Sequence, residues 1–122
     1  MNRESNSEEI ANSGLVPQLG MMARALWAAT EKPTFRGIHH WTDAGVTSWY
    51  DFARAIAEEG RAAGLLRREV EVLPITTAEY PTPARRPGYS VLDLTSTEAA
   101  LRITAAPWRE NLKKMLMELK HA

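Results

Sequence analysis

The residues best suited to chemistry stand in one run, Tyr80-Pro81-Thr82-Pro83-Ala84-Arg85-Arg86-Pro87-Gly88-Tyr89-Ser90. Each of its three prolines holds φ at roughly −65°, removes an amide donor and steers the residue before it away from helical geometry. The run therefore predicts a stiffened loop rather than the inside of a helix or a central strand. Within it two adjacent guanidinium groups, Arg85 and Arg86, lie beside a glycine, a hydroxyl and two phenols. A planar guanidinium gives two charge-assisted hydrogen bonds to phosphate oxygens, so this grouping suits a phosphate-bearing, ring-containing ligand. The ordinary alternative for either arginine is a solvated surface salt bridge.

The elements that must position this loop fit into one domain, since 122 residues can bury a core but fall short of a complete two-domain enzyme. Fifteen basic and fifteen acidic side chains cancel, which leaves no bulk field for nucleic acid or an anionic membrane surface. The chain has no cysteine, and this excludes disulfides, thiolate zinc sites and a cysteine nucleophile, and is compatible with a reducing, cytoplasmic setting. No apolar run is long enough to span a bilayer, and the N-terminus carries no signal-peptide pattern.

Residues 1–17 are mostly polar and read as a mobile lead-in, so residues 18–122 make up the lobe. From Gln18 to Glu31, Leu19, Met22, Ala23, Leu26 and Trp27 share one helix face, limited by Pro33. Core or interface packing is the reading for Met21, Met22 and Trp27. Gly37 to Thr42 reads as a strand. On a strand His39 and His40 point to opposite faces and do not chelate one ion, so no metal site is assigned and one histidine is expected to be partly buried and hydrogen-bonded. Thr47 or Ser48 caps a second helix that buries Trp49, Phe52, Ala53 and Ile56, leaves Glu58, Glu59 and Arg61 toward solvent, and stops at Gly64. Val70 to Ile75 predicts a second strand. Thr76 to Glu79 has capping-box spacing for one helical turn leading into the loop. Val91 to Asp93 predicts a brief third strand, and Thr95 to Glu98 a further capping box for a short helix near Leu101. Pro107 opens a last helix with Trp108, Leu112, Met115, Leu116 and Leu119 as its buried stripe. The fold class expected is α/β, a small mixed lobe of four to five helices with two or three short strands. Trp41 and Trp49 are expected in the core rather than as platforms for a base.

Taken together, the runs from Gly37 to Ile56, from Val72 to Asp93 and from Pro107 to Leu112 resemble the C-terminal third of the dTDP-4-dehydrorhamnose reductase family, within the extended short-chain dehydrogenase/reductases. The resemblance extends in unbroken order from about Gly20 to Leu119, and Tyr80-Pro81-Thr82-Pro83-Ala84-Arg85-Arg86-Pro87 is its most specific part. It departs at the front, where the family's strand and Gly-x-Pro-Thr turn are replaced by an unrelated polar stretch.

That resemblance implies a lobe covering a dTDP-sugar bound against a Rossmann domain, supplied in cis or in trans, with NADPH reducing the 4-keto group to give dTDP-L-rhamnose. It makes Arg86 the contact to the diphosphate, with Arg85 behind it. Tyr80, Thr82 and Ser90 either touch the nucleotide or hold the loop. The family's catalytic Tyr-x-x-x-Lys pair and glycine-rich cofactor turn belong to the other domain. Here Tyr50 is followed four residues later by Arg54, Tyr80 by Ala84 and Tyr89 by Asp93, so no catalytic or cofactor-binding residue is assigned to this chain. Two further readings fit the same residues. One is a non-catalytic interaction or regulatory module that self-associates, with Glu118 either helping subunits to pair or merely solvated; the other is the lobe of a nucleotide-sugar epimerase or dehydratase.

Overall fold

The computed structural model describes residues 17–122, framed by helices α1 (Pro17–Thr30), α2 (Trp49–Ala62), α3 (Thr95–Leu101) and α4 (Trp108–His121), with a 3-10 turn at Thr77–Glu79. The lead-in expected over residues 1–17 lies outside the described residues except for Pro17, which is the first residue of α1. Helix α4 is the hub: it packs against both α1 and α2, and α1 packs against α3.

Apolar spacing along α4 puts Leu112 and Leu116 on its inner face, where they meet Ala55 of α2, and Phe52, Trp108 and Met115 close over them. Leu112 is 0% exposed. The phenyl ring of Phe52 meets the Trp108 indole edge-on at 5.7 Å. Leu119, expected in the stripe, is exposed. Asn111 takes an inner position and donates from Nδ2 to Asp43 Oδ1 at 2.9 Å.

Local signals set the ends of α2. Ser48 Oγ accepts the Asp51 amide at 3.0 Å, the N-cap its spacing predicts. At the other end Gly64 N donates to Arg61 O and Leu65 N to Gly60 O, both at 2.9 Å, with Gly64 at φ +76°. This is a Schellman closure, and its left-handed residue has to lack a Cβ to avoid strain. Leu66 folds back over the buried Gly60.

The mixed α/β architecture is not what forms. The lobe is mostly helical, and among the described residues none of the runs Gly37 to Thr42, Val70 to Ile75 or Val91 to Asp93 is a strand. A strand exists only through backbone pairing, and side-chain alternation does not supply a partner. These runs cross the surface instead, with Ile38 91% and Leu73 67% exposed. Strand-like pairing among the described residues is confined to one isolated parallel bridge, Ala44 with Pro107.

Helix α1 is also rotated from its expected face. Ala25 is buried and Met21, Ala28 and Ala29 are half-buried, whereas Met22, Leu26 and Trp27 are exposed. The small Ala25 takes the buried position, and Met22 and Leu26 border an open groove with Phe35, His39, His40 and Trp41. Trp49, expected in the core, is 85% exposed at the first turn of α2. His39 is half-buried, stacks on Phe35 at 3.7 Å and places Nε2 3.0 Å from Arg36 O, as expected for one of the two histidines.

Because so few side chains are fully enclosed, each should weigh heavily. Leu112→Ala should cost about 3 kcal/mol, in the range for a buried leucine truncated without collapse. Urea unfolding followed by circular dichroism measures this, and a loss under about 1 kcal/mol would contradict the placement of Leu112 at the centre.

Candidate functional site

The loop from Tyr80 to Ser90 leaves the helical body through the turn that the capping-box spacing predicts. Glu79 Oε2 accepts from Thr76 N at 2.6 Å and from Thr76 Oγ1 at 2.8 Å. Glu79 N returns to Thr76 O at 3.1 Å and Tyr80 N to Thr77 O at 3.3 Å. These bonds hold the Glu79 carboxyl below its ordinary 4.5, the Thr76 amide being the largest cause and the Thr76 hydroxyl the next. At the far end Asp93 Oδ1 accepts the Thr95 amide at 2.9 Å, an Asx turn leading into α3, whose N-cap position is Leu94. That bond lowers the Asp93 pKa for the same reason. Glu98, expected to close the box of α3, turns away and accepts the Ala105 amide at 2.8 Å.

Every residue from Tyr80 to Ser90 is exposed, Tyr80 by 68% and Tyr89 by 74%. Inside the loop Thr82 Oγ1 donates to Ala84 O at 3.0 Å, so Thr82 braces the bend. Arg85 and Arg86 belong to none of the ion pairs among the described residues, which join Arg54, Arg61, Arg109 and Lys113 to Glu58, Glu59 and Glu69. The salt-bridge alternative for the two loop arginines is therefore not realised within the described residues. Nor do the side chains of Tyr80, Arg85, Arg86 and Ser90 meet in a common hydrogen-bond network there. Two open clefts among the described residues, one of about 260 Å³ beside α1 and one of about 310 Å³ beside Arg54 and Arg109, are lined by other residues. The loop presents cationic and aromatic groups to solvent.

Pairing that holds the base together was not visible in the sequence pattern. Arg109 of α4 donates from Nη2 to Glu58 at 2.7 Å and from Nε to Glu59 at 2.9 Å, both on α2. This guanidinium is the main cause of the lowered Glu58 pKa. Glu58 and Glu59, expected toward solvent, thus clamp α2 to α4. About fifty residues separate the partners, so no local spacing announces them. The role of Asp93 was more accessible, since an aspartate whose side chain reaches the amide two residues on is an Asx-turn signal.

The described residues do not suit a dinucleotide. The glycines with positive φ, Gly37, Gly45 and Gly64, lie apart and follow no strand, so they form no phosphate cradle. No described helix is long and apolar enough to cross a membrane.

The described residues thus form a helical base that carries an exposed loop of arginines and prolines. The family model for the RmlD substrate binding domain matches residues 18–121, and the chain belongs to that family. A dTDP-4-dehydrorhamnose reductase of Escherichia coli is 36% identical over 97 residues, covering 80% of this chain and 32% of that protein. The corresponding reductase of Aggregatibacter actinomycetemcomitans is 46% identical over 79 residues, 65% of this chain and 27% of that protein. A spore coat polysaccharide biosynthesis protein of Bacillus subtilis, SpsK, is 43% identical over 86 residues, 70% of this chain and 28% of that protein. The chain spans about a third of the length of the Escherichia coli relative.

The turn beneath the loop has a signature in solution. A depressed carboxyl pKa means that the Glu79 bonds are present above its ordinary value of 4.5 and are lost as pH falls through the lower folded value. The Thr76 amide resonance should accordingly titrate with a midpoint below 4.5, and a midpoint at or above that value would show that the turn does not form.

Proposed function

We propose that the chain is the nucleotide-sugar-binding lobe of a dTDP-4-dehydrorhamnose reductase-type protein and is inactive alone. In this reading Arg86, backed by Arg85, takes the diphosphate, and Tyr80, Thr82 and Ser90 flank the nucleotide or brace the loop. The observation that carries it is the pair of exposed loop arginines, matched to no carboxylate among the described residues, in a chain of the RmlD substrate-binding-domain family. A guanidinium with its donors uncommitted can form a bidentate pair with phosphate. Hydride transfer from NADPH to the 4-keto group falls to a Rossmann domain in cis or in trans, which also supplies the facing wall of the cleft. The setting we infer is cytoplasmic.

A second reading, a non-catalytic interaction module that self-associates, is favoured by one observation: Met22, Leu26 and Trp27 are exposed together on α1. Sedimentation over a range of concentrations separates the two, since a strict monomer rules out self-association.

With one wall solvated, dTDP should bind only at millimolar concentration. Amide shift changes on titration should concentrate at Arg85 to Ser90, and Arg86→Ala should weaken binding about tenfold, the worth of a charge-assisted pair. Unchanged spectra in that loop at millimolar dTDP would overturn the reading.

A further inference from the structure

We propose that Glu79 is a positioning residue for the arginine loop: by closing the turn with Thr76 it sets the direction in which Arg85 and Arg86 project from the helical base. This rests on reading the loop as an anion site, which it deepens by naming what aims it.

The argument begins with how the loop is held. Its prolines stiffen it internally and Thr82 braces its bend, but its side chains are exposed, so packing does little to direct it. A stiff segment that is not packed is aimed from its root. At that root the Glu79 carboxylate gathers both the amide and the hydroxyl of Thr76 on a single oxygen, and the Glu79 amide returns to Thr76 O. Thr76 is extended, at φ −84° and ψ 162°, and Tyr80 leaves the turn at φ −126° and ψ 74°, so the turn changes the chain direction just before the prolines.

Lever length turns this local closure into a distant effect. The six residue steps from Tyr80 to Arg86 reach at most about 20 Å, so a swing of about 15° at the root moves the guanidinium by up to about 5 Å. A bidentate contact does not survive displacement on that scale.

Charge makes the inference separable from plain electrostatics. Glu79 is an anion near a site proposed to bind one, so removing its charge should tighten an anion if only Coulomb attraction matters. Positioning has the opposite sign. Glutamine satisfies a capping box as glutamate does, through its amide oxygen, so the neutral isostere keeps the aim while alanine loses it.

The test uses the full chain with Glu79→Ala and Glu79→Gln. Without ligand, the heteronuclear NOE of Ala84 to Ser90 should fall in Glu79→Ala and hold in Glu79→Gln, while amide shifts of α2 and α4 stay in place and show that the base is folded. With dTDP as probe, Glu79→Ala should bind about fivefold more weakly than the parent chain and Glu79→Gln within about twofold of it. Unchanged loop dynamics in Glu79→Ala, or equal or tighter binding by it, would overturn the role of Glu79. If the parent chain fails to bind dTDP while the NOE pattern appears as described, the anion-site reading fails and the aiming of the loop by Glu79 stands.

Discussion

The fold depends on the place where the segment ahead of α2 is tied to the start of α4. Ala44 N donates to Ala106 O and Trp108 N to Ala44 O, each at 2.9 Å, and Asp43 takes the amide of the buried Asn111. The chain is drawn so close that a Cβ on Gly45 would lie 3.0 Å from the Trp108 ring, and Gly45 sits at φ +103°. Only glycine meets both demands without strain. This knot sets the start of α2 beside the start of α4, next to the small core of Ala55, Leu112 and Leu116. Arg109 then locks the outer surfaces of the same two helices through Glu58 and Glu59, while Lys32 donates from Nζ to Ala100 O and ties the end of α1 to α3.

Division of labour follows. The helical base is held by contacts far apart in the chain, whereas the arginine loop is held by bonds between near neighbours, Thr76 with Glu79, Thr82 with Ala84 and Asp93 with Thr95. Local bonds and prolines give a loop a shape without burying it. Its guanidinium groups stay exposed and outside the ion pairs of the described residues.

Features with local causes were legible in the sequence. Ser48 as a cap, Gly64 as a left-handed stop, the turn at Thr76 to Glu79, the α4 stripe around Leu112 and the exposed, proline-stiffened loop all follow from residues a few positions apart. The absence of strands among the described residues was not legible, because Val70 and Val72 alternate with glutamates as strand residues do while pairing depends on a backbone that the pattern does not specify. The face of α1 was misread for a related reason: Ala25 is buried and Leu26 exposed because close approach, not hydrophobicity alone, decides which side packs. Of the candidate site, the loop was legible in the sequence, whereas Tyr80, Thr82, Arg85, Arg86 and Ser90 are exposed along it and are not brought together by contacts among the described residues.

Native-state amide hydrogen exchange tests the knot most directly, because it reads the two bridge amides one by one. The amides of Ala44 and Trp108 should exchange as slowly as those of Leu112 and Leu116, opening only with the core, while the amides of Arg85, Arg86 and Gly88 exchange at rates close to those of an unstructured chain. Exchange at Ala44 and Trp108 as fast as in the loop would show that the helices hold together without the knot and would contradict its place at the root of the fold.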